Sequence, residues 1–260
     1  MAIAYDDYVD FCRGVVRLTG IDLLQYKRGQ MERRLRTFAE RRGKTRLADY
    51  LAMLTADRDE LDRFLDRVTI NVSQLWRNPE QWERLGRTVV PELAQRGTIR
   101  IWSAGCSYGA ECYTIAAVCL EQTKGVKVEV VGTDVDARMI ERARAGLFSI
   151  DDARTVPAAS LDRWFERDGA GWRAGRELKQ RMTFEQGDLL SMRFPAARYD
   201  LVLCRNVVIY FTEDVRDALH ARLATSLRPG GYLVVGSTER VAATAENGLE
   251  LTSPFTYRKA

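Results

Sequence analysis

At 260 residues the chain is long enough for one sizeable core and a smaller appendage. Its 46% hydrophobic and 29% charged residues are those of a soluble globular protein, and no apolar run approaches the ~18 residues a membrane-spanning helix needs. The net charge of +4 hides an asymmetry: residues 27–46 carry nine basic side chains against two acidic, leaving the remainder at about −3.

The N-terminus carries Asp6 and Asp7 where a secretory signal would carry Lys or Arg, so export is not expected and a cytoplasmic location is. The five cysteines (Cys12, Cys106, Cys112, Cys119, Cys204) are scattered and odd in number, which reads as reduced core or loop thiols. With His220 the lone histidine and no Cys-x-x-Cys spacing, neither a metal site nor a histidine-based triad is expected.

Residues 1–70 show helical spacing and almost no strand signal. Tyr5, Tyr8, Val9, Cys12, Val15 and Val16 recur three and four apart, as one buried helix face does. Leu35 and Phe38 repeat this within the basic block, which Gly43 is expected to close as a C-cap. Leu47, Tyr50, Leu51 and Leu54, then Leu61, Phe64, Leu65 and Val68, continue the pattern, giving a domain of about four short helices. Residues 71–90 read as a linker that contacts the ligand of the following domain. From residue 91 to 260 strands alternate with helices, the pattern of a parallel sheet covered on both faces. Strands are expected at 99–103, 126–133, 182–186, 201–205 and 232–236, and helices at 110–122, 137–145 and 212–227. His220 falls in the last of these as a surface or boundary residue. Residues 228–231 read as a tight turn and 255–258 as a short edge strand. Between 148 and 181 the rhythm breaks; a hairpin tip at Asp168-Gly169-Ala170-Gly171 marks a small inserted helix and hairpin.

The first expected strand runs into Ser103-Ala-Gly-Cys-Ser-Tyr-Gly-Ala-Glu111, a small-residue loop opening a helix, and the second ends in Thr133-Asp134. A loop passing beneath a ligand, with an acid at the next strand's tip to accept ribose hydroxyls, is how a doubly wound sheet holds an adenosine-containing cofactor. Gly105 and Gly109 lack the middle glycine of a dinucleotide fingerprint, and no Gly-Lys-Ser/Thr ending marks a phosphate loop. S-adenosylmethionine, with a ribose but no phosphates, suits the loop better. The plainer alternative is that the two glycines only let a strand turn into a helix.

Several segments together resemble the chemotaxis receptor methyltransferases, the CheR family. Asn71-Val-Ser-Gln-Leu-Trp-Arg-Asn-Pro79 resembles its Asn-x-Thr/Ser-x-Phe-x-Arg-Asp/Asn-Pro segment, and Ser103 to Thr114 its Ser-Ala-Gly-Cys-Ser-Thr-Gly-Glu-Glu-Pro-Tyr-Ser/Thr motif. Gly132-Thr-Asp-Val-Asp136, Cys204-Arg-Asn-Val-Val-Ile-Tyr-Phe211 and Leu227-Arg-Pro-Gly-Gly-Tyr-Leu233 are similar to further family segments, in the same order. The resemblance implies an α/β fold: a Rossmann-like class I S-adenosylmethionine-dependent methyltransferase domain, with a small all-helical N-terminal domain and a small β-subdomain insertion. The implied reaction is methyl transfer from S-adenosylmethionine to glutamate side chains of chemoreceptors, giving glutamyl methyl esters and S-adenosylhomocysteine.

By the same resemblance Arg77 and Tyr210 would lie near the reacting sulfur, with Arg77 orienting the acceptor carboxylate. Asn71 and Ser73 would touch the methionyl end. Ala104 and Gly105 would pass beneath the cofactor, Glu111 is the retained second acid of the family's Gly-Glu-Glu, and Asp134 would hold the ribose. Asp188 and Leu189 would flank the adenine, and Asn206 and Val207 would close the site. Asp188 and Asn206 can also be read as turn and strand-end residues. Arg33, Arg34, Arg36, Arg41 and Arg42 would dock on the acidic cytoplasmic helical bundle of a receptor. No nucleic-acid partner and no membrane insertion are implied, and a monomer is the default.

The chain departs from the family at Tyr108 (usually Thr), Ala110 (the first Glu), Cys112 (Pro) and Gly236-Ser-Thr-Glu239 (Gly-His-Ser-Glu). These departures motivate a second reading, a catalytically weak cofactor-binding regulator of the same fold. The basic block motivates a third, a methyltransferase acting on nucleic acid or another acidic partner. Arg205-Asn206-Val207 stands where nucleic-acid amino-methylating enzymes often carry Asn/Asp-Pro-Pro-Tyr/Phe, which argues against the nucleic-acid version.

Overall fold

The computed structural model describes residues 6–69 and 73–260. The chain divides into two compact units, Met1–Ile70 with Tyr210–Val215, and Asn71–Ile209 with Arg216–Ala260. The first is helical: α1 (Asp7–Thr19), α2 (Arg28–Glu40), α3 (Leu47–Ala56) and α4 (Arg58–Val68). Asp6 caps α1 by accepting from the Tyr8 and Val9 amides, and Gly20 ends it in the left-handed region at φ 78°. Asp57 caps α4 through the Glu60 amide. Phe11, Tyr50 and Phe64 fill the centre, each pair of rings 6.1 Å apart. Helix α2 stops at Glu40 and is capped by Arg41, so Gly43, in the turn beyond at φ 68°, lies two residues past the cap it was expected to form.

The second unit begins with α5 (Pro79–Ala94), which occupies much of the stretch expected as a linker. Pro79 is tolerated there because the first helical turn needs no amide donor, and Trp82, Leu85, Val89, Val90 and Leu93 bury one face. There follow β1 (Thr98–Ala104), α6 (Ala110–Gln122), β2 (Lys127–Asp134), α7 (Ala137–Ala145), β3 (Leu147–Ser149), α8 (Ala158–Trp164), β4 (Phe165–Asp168), β5 (Gly171–Ala174), α9 (Arg176–Lys179), β6 (Met182–Gln186), β7 (Tyr199–Cys204), α10 (Glu213–Ser226), β8 (Leu227–Val235), β9 (Leu249–Ser253) and β10 (Thr256–Lys259).

Seven strands form one sheet in the order β6-β2-β1-β7-β8-β10-β9. The first five are parallel; β10 and β9 add antiparallel. The chain steps from β1 outward to β2 and later returns to β1's other side with β7. That places a topological switch point at the carboxyl ends of β1 and β7, where open α/β sheets bind ligands. A separate antiparallel sheet, β3-β5-β4, forms the insertion, with Phe148 and Phe165 packed edge to face at 5.8 Å.

Three further expectations differ from the structure. The C-terminal strand β10 is not at the edge: it lies between β8 and β9, and β9 is the edge. Residues 228–231 do not form a free turn but belong to β8, where the register with β7 shifts between Tyr199 and Leu201. His220 is fully buried on α10, and neither ring nitrogen has a hydrogen-bond partner among the described residues.

Candidate active site

The loop after β1 is closed by its own backbone. The amides of Gly105 and Cys106 both donate to the Thr133 carbonyl, at 2.8 and 3.0 Å, binding the end of β1 to that of β2. Gly105 and Gly109 lie at φ 82° and 84°, where a side chain would be strained. A Cβ on Gly105 would also meet Val207, so the glycine admits the chain that follows β7.

Asp134, at the tip of β2, is nearly buried. Its Oδ2 accepts the Ser107 amide at 2.8 Å and its Oδ1 the Asp136 amide at 3.0 Å. Burial pushes its pKa up, and those two amides counter the shift. Gly187 at the end of β6 donates to the Asp134 carbonyl at 2.9 Å, which brings Asp188 to the same edge. Asp188 itself closes a turn: its Oδ1 accepts the Leu190 amide and its Oδ2 the Ser191 hydroxyl. Leu189 beside it is buried.

At the third position, the end of β7, Arg205 is a buried cation. Its Nε donates to Gln81 Oε1 at 2.9 Å and its Nη1 to Glu111 Oε2 at 3.1 Å. Its Nη2 donates to the Arg77 carbonyl at 2.8 Å and to Asn78 Oδ1 at 3.3 Å. The guanidinium lies over the Trp82 ring, 4.5 Å from its centre. Burial lowers the Arg205 pKa, and Glu111 opposes the change. Glu111, in the first turn of α6, also accepts the Ser103 hydroxyl at 2.8 Å. Asn206 follows at φ 60°; its amide donates to Glu239 Oε2, which takes the Gly236 amide as well. Burial raises the pKa of Glu239 against those amides. Arg77 sits between Trp76 and Asn78, both left-handed, and its carbonyl also accepts the Trp82 indole at 2.8 Å.

Ala104, Gly105, Glu111, Asp134, Asp188, Leu189, Asn206 and Val207 thus converge with Arg77 around the carboxyl edge of β6, β2, β1 and β7. The Ser73 carbonyl accepts the Tyr108 hydroxyl, which also reaches Asp152 Oδ1 at 2.8 Å. The Tyr108 ring packs against Phe148 and under Arg142, which explains how a bulky residue is accommodated in this loop. Asn71 lies outside the described residues. Tyr210 belongs to the helical unit, where its carbonyl accepts the Lys27 amide at 2.9 Å. Arg205, Gln81 and Glu239 were not singled out from sequence. Arg205 stands inside a segment that carries the resemblance, Glu239 in one that departs from it, and Gln81 outside both.

The basic helix carries less open charge than its composition suggests. Arg36 bonds Asp7 and Glu32, Arg42 bonds the buried Glu60 at 2.8 Å, and Arg34 donates to the Arg67 carbonyl. Arg33 and Arg41 are exposed and form no ion pair among the described residues.

The site fits an adenosine-containing sulfonium. Each Asp134 oxygen accepts an amide and keeps capacity for a hydroxyl, and Ser107 Oγ is buried without a partner among the described residues. Such an edge defines a nucleoside-binding doubly wound α/β domain. Residues 71–255 match the family model described as CheR methyltransferase, SAM binding domain, and residues 6–69 the CheR methyltransferase, all-alpha domain. The chain is 33% identical over 256 residues to a chemotaxis protein methyltransferase of Listeria innocua, covering 97% of each. It is 30% identical over 251 residues to chemotaxis protein methyltransferase 1 of Pseudomonas aeruginosa, covering 92% of each. The chain belongs to the CheR methyltransferase family, and its cofactor is S-adenosylmethionine. No helix among the described residues is long and apolar enough to cross a membrane.

Proposed function

We propose that the protein methylates glutamate side chains of chemoreceptors, forming γ-glutamyl methyl esters. The supporting observation is the convergence of Glu111, Asp134 and the Arg77 turn on one sheet edge, in a chain whose relatives are named chemotaxis methyltransferases. S-adenosylmethionine supplies an electrophilic methyl group on a sulfonium and leaves as S-adenosylhomocysteine.

The chain's residues then have separate tasks. Asp134 accepts the ribose hydroxyls, Glu111 takes the ammonium, and Ala104, Gly105, Asn206 and Val207 form the floor and wall, with Asp188 and Leu189 beside the adenine. Ser73 approaches the methionyl end. An acceptor glutamate, with an ordinary pKa near ~4.3, arrives as an anion and needs no general base. Its carboxylate would take the methyl group that the cofactor, held by Asp134 and Glu111, would supply. Arg77 holds one carboxylate oxygen and so fixes the line of attack. Too tight an Arg77 pair would blunt the nucleophile, so Arg77 acts by orientation.

Residues 1–70 serve as the docking domain, with Arg33 and Arg41 as the exposed contacts to an acidic receptor bundle and Arg34, Arg36 and Arg42 as further contacts. The protein works as a cytoplasmic monomer. Incubation of tritiated cofactor with receptor tests the reaction: the label should enter receptor and be released as methanol by mild base. Label that is stable to base, or absent with bound cofactor, contradicts it.

A further inference from the structure

We propose that Arg205 is the positioning residue of the reaction, fixing the Arg77 turn and Glu111 together through one buried guanidinium. This rests on the role given to Arg77 above. Four of the five N–H donors of Arg205 go to protein acceptors: Gln81 Oε1, Glu111 Oε2, the Arg77 carbonyl and Asn78 Oδ1. It is therefore directed at the protein rather than at a substrate.

The segment it holds requires holding. Trp76 at φ 52° and Asn78 at φ 59° flank Arg77 in a conformation that non-glycine residues rarely adopt. Such a turn persists only where its surroundings fix it. The Trp76 amide donates to Thr114 Oγ1 at 3.1 Å, and the Arg77 carbonyl receives both the Trp82 indole and Arg205. Gln81, which anchors the Nε side, is itself tied to the Val235 carbonyl at 2.9 Å, so the array is built into the sheet through β8. On its other side Glu111 is pinned between Arg205 and Ser103 at the end of β1. One planar fork thus sets the spacing between the residue that orients the acceptor and the acid that meets the cofactor. A lysine could keep the charge but not four bonds in fixed directions.

The test compares wild type, Arg205→Lys, Asn78→Gly and Arg77→Ala, with Arg205→Lys also made in the Arg77→Ala background. For each, kcat and KM are measured on receptor, affinity by titration of S-adenosylhomocysteine, and Tm. Arg205→Lys should lower kcat roughly 10- to 100-fold. In the Arg77→Ala background the same change should have almost no effect on kcat, because the turn it holds no longer carries the guanidinium. Asn78→Gly keeps the left-handed backbone while removing one acceptor. It should lower kcat about threefold with unchanged cofactor affinity, and it covers the case in which Arg205→Lys does not fold. Equal losses of kcat from Arg205→Lys in both backgrounds, or a fall in Tm with kcat of the folded fraction unchanged, would overturn the proposal. Wild-type kcat in Arg77→Ala alone would instead remove the role of Arg77, a different failure visible before the double variant is read.

Discussion

A Cβ built on Gly105 would lie 2.5 Å from Val207 Cγ2, so the loop after β1 and the chain after β7 are in direct contact at the switch point. With φ at 82° the position is strained for any side chain as well as crowded. Gly105→Ala should destabilise the protein by about 1–3 kcal/mol and weaken S-adenosylhomocysteine binding at least tenfold. Adding Val207→Ala should recover part of the stability by removing the clash but not the backbone strain. Thermal denaturation and titration of the two variants check this.

His220 gives a pH dependence of known sign. Burial pushes its pKa down to about 4; Asp217 acts to raise it and Arg216 to lower it further. The unfolded state takes up a proton near pH 6.5 and the folded state only near 4, so stability is fully present above 6.5 and falls as pH drops between those values. The loss from this one group amounts to about 3 kcal/mol by pH 4. His220→Leu should match or exceed wild type at pH 7, since it buries no unpartnered nitrogen, and the difference in Tm should widen steadily from pH 6.5 to 4. Parallel Tm curves would contradict the assignment.

The paired and exposed arginines of the basic segment should behave differently. Arg33→Ala with Arg41→Ala should raise the KM for receptor several-fold at low salt and leave kcat unchanged. The effect should fade at high salt as exposed charges are screened. Arg42→Ala should lower Tm by several degrees, because among the described residues Glu60 would be left with Arg63 and the Tyr50 hydroxyl. Steady-state kinetics at two ionic strengths and a thermal melt separate these roles.

Local pattern was enough where local forces decide the structure. Helices α6 and α7 and strand β6 begin and end where apolar spacing, the Asp136 cap and the glycines put them. Helix α5 was hidden because Pro79 and Pro91 look like breakers, although the first sits at the start of the helix and the second near its end. The position of β10 inside the sheet depends on its pairing with β9, whose Leu249-Glu250-Leu251 carries little strand signal. At the site, Asp134 and Glu111 were legible because a strand tip and a first helical turn are local features. Arg205 was not: its partners Arg77, Asn78 and Gln81 are more than 120 residues away in the chain, and a lone arginine inside a strand-end motif gives no sign of what it holds. The burial of His220 likewise follows from packing around α10 and not from that helix's weakly amphipathic sequence.

In the proposed reaction the carboxyl edge of the sheet binds the cofactor through Asp134, and Arg77 orients the acceptor. Calorimetric titration of S-adenosylhomocysteine into wild type, Asp134→Ala and Arg77→Ala, with methyl transfer to receptor measured in parallel, tests both halves. Asp134→Ala should lose at least tenfold in affinity, since the ribose acceptor and the tie to the Ser107 amide go together. Arg77→Ala should bind within a few-fold of wild type while its kcat falls by about 100-fold or more. Equal affinity in wild type and Asp134→Ala, or undiminished kcat in Arg77→Ala, would contradict the account.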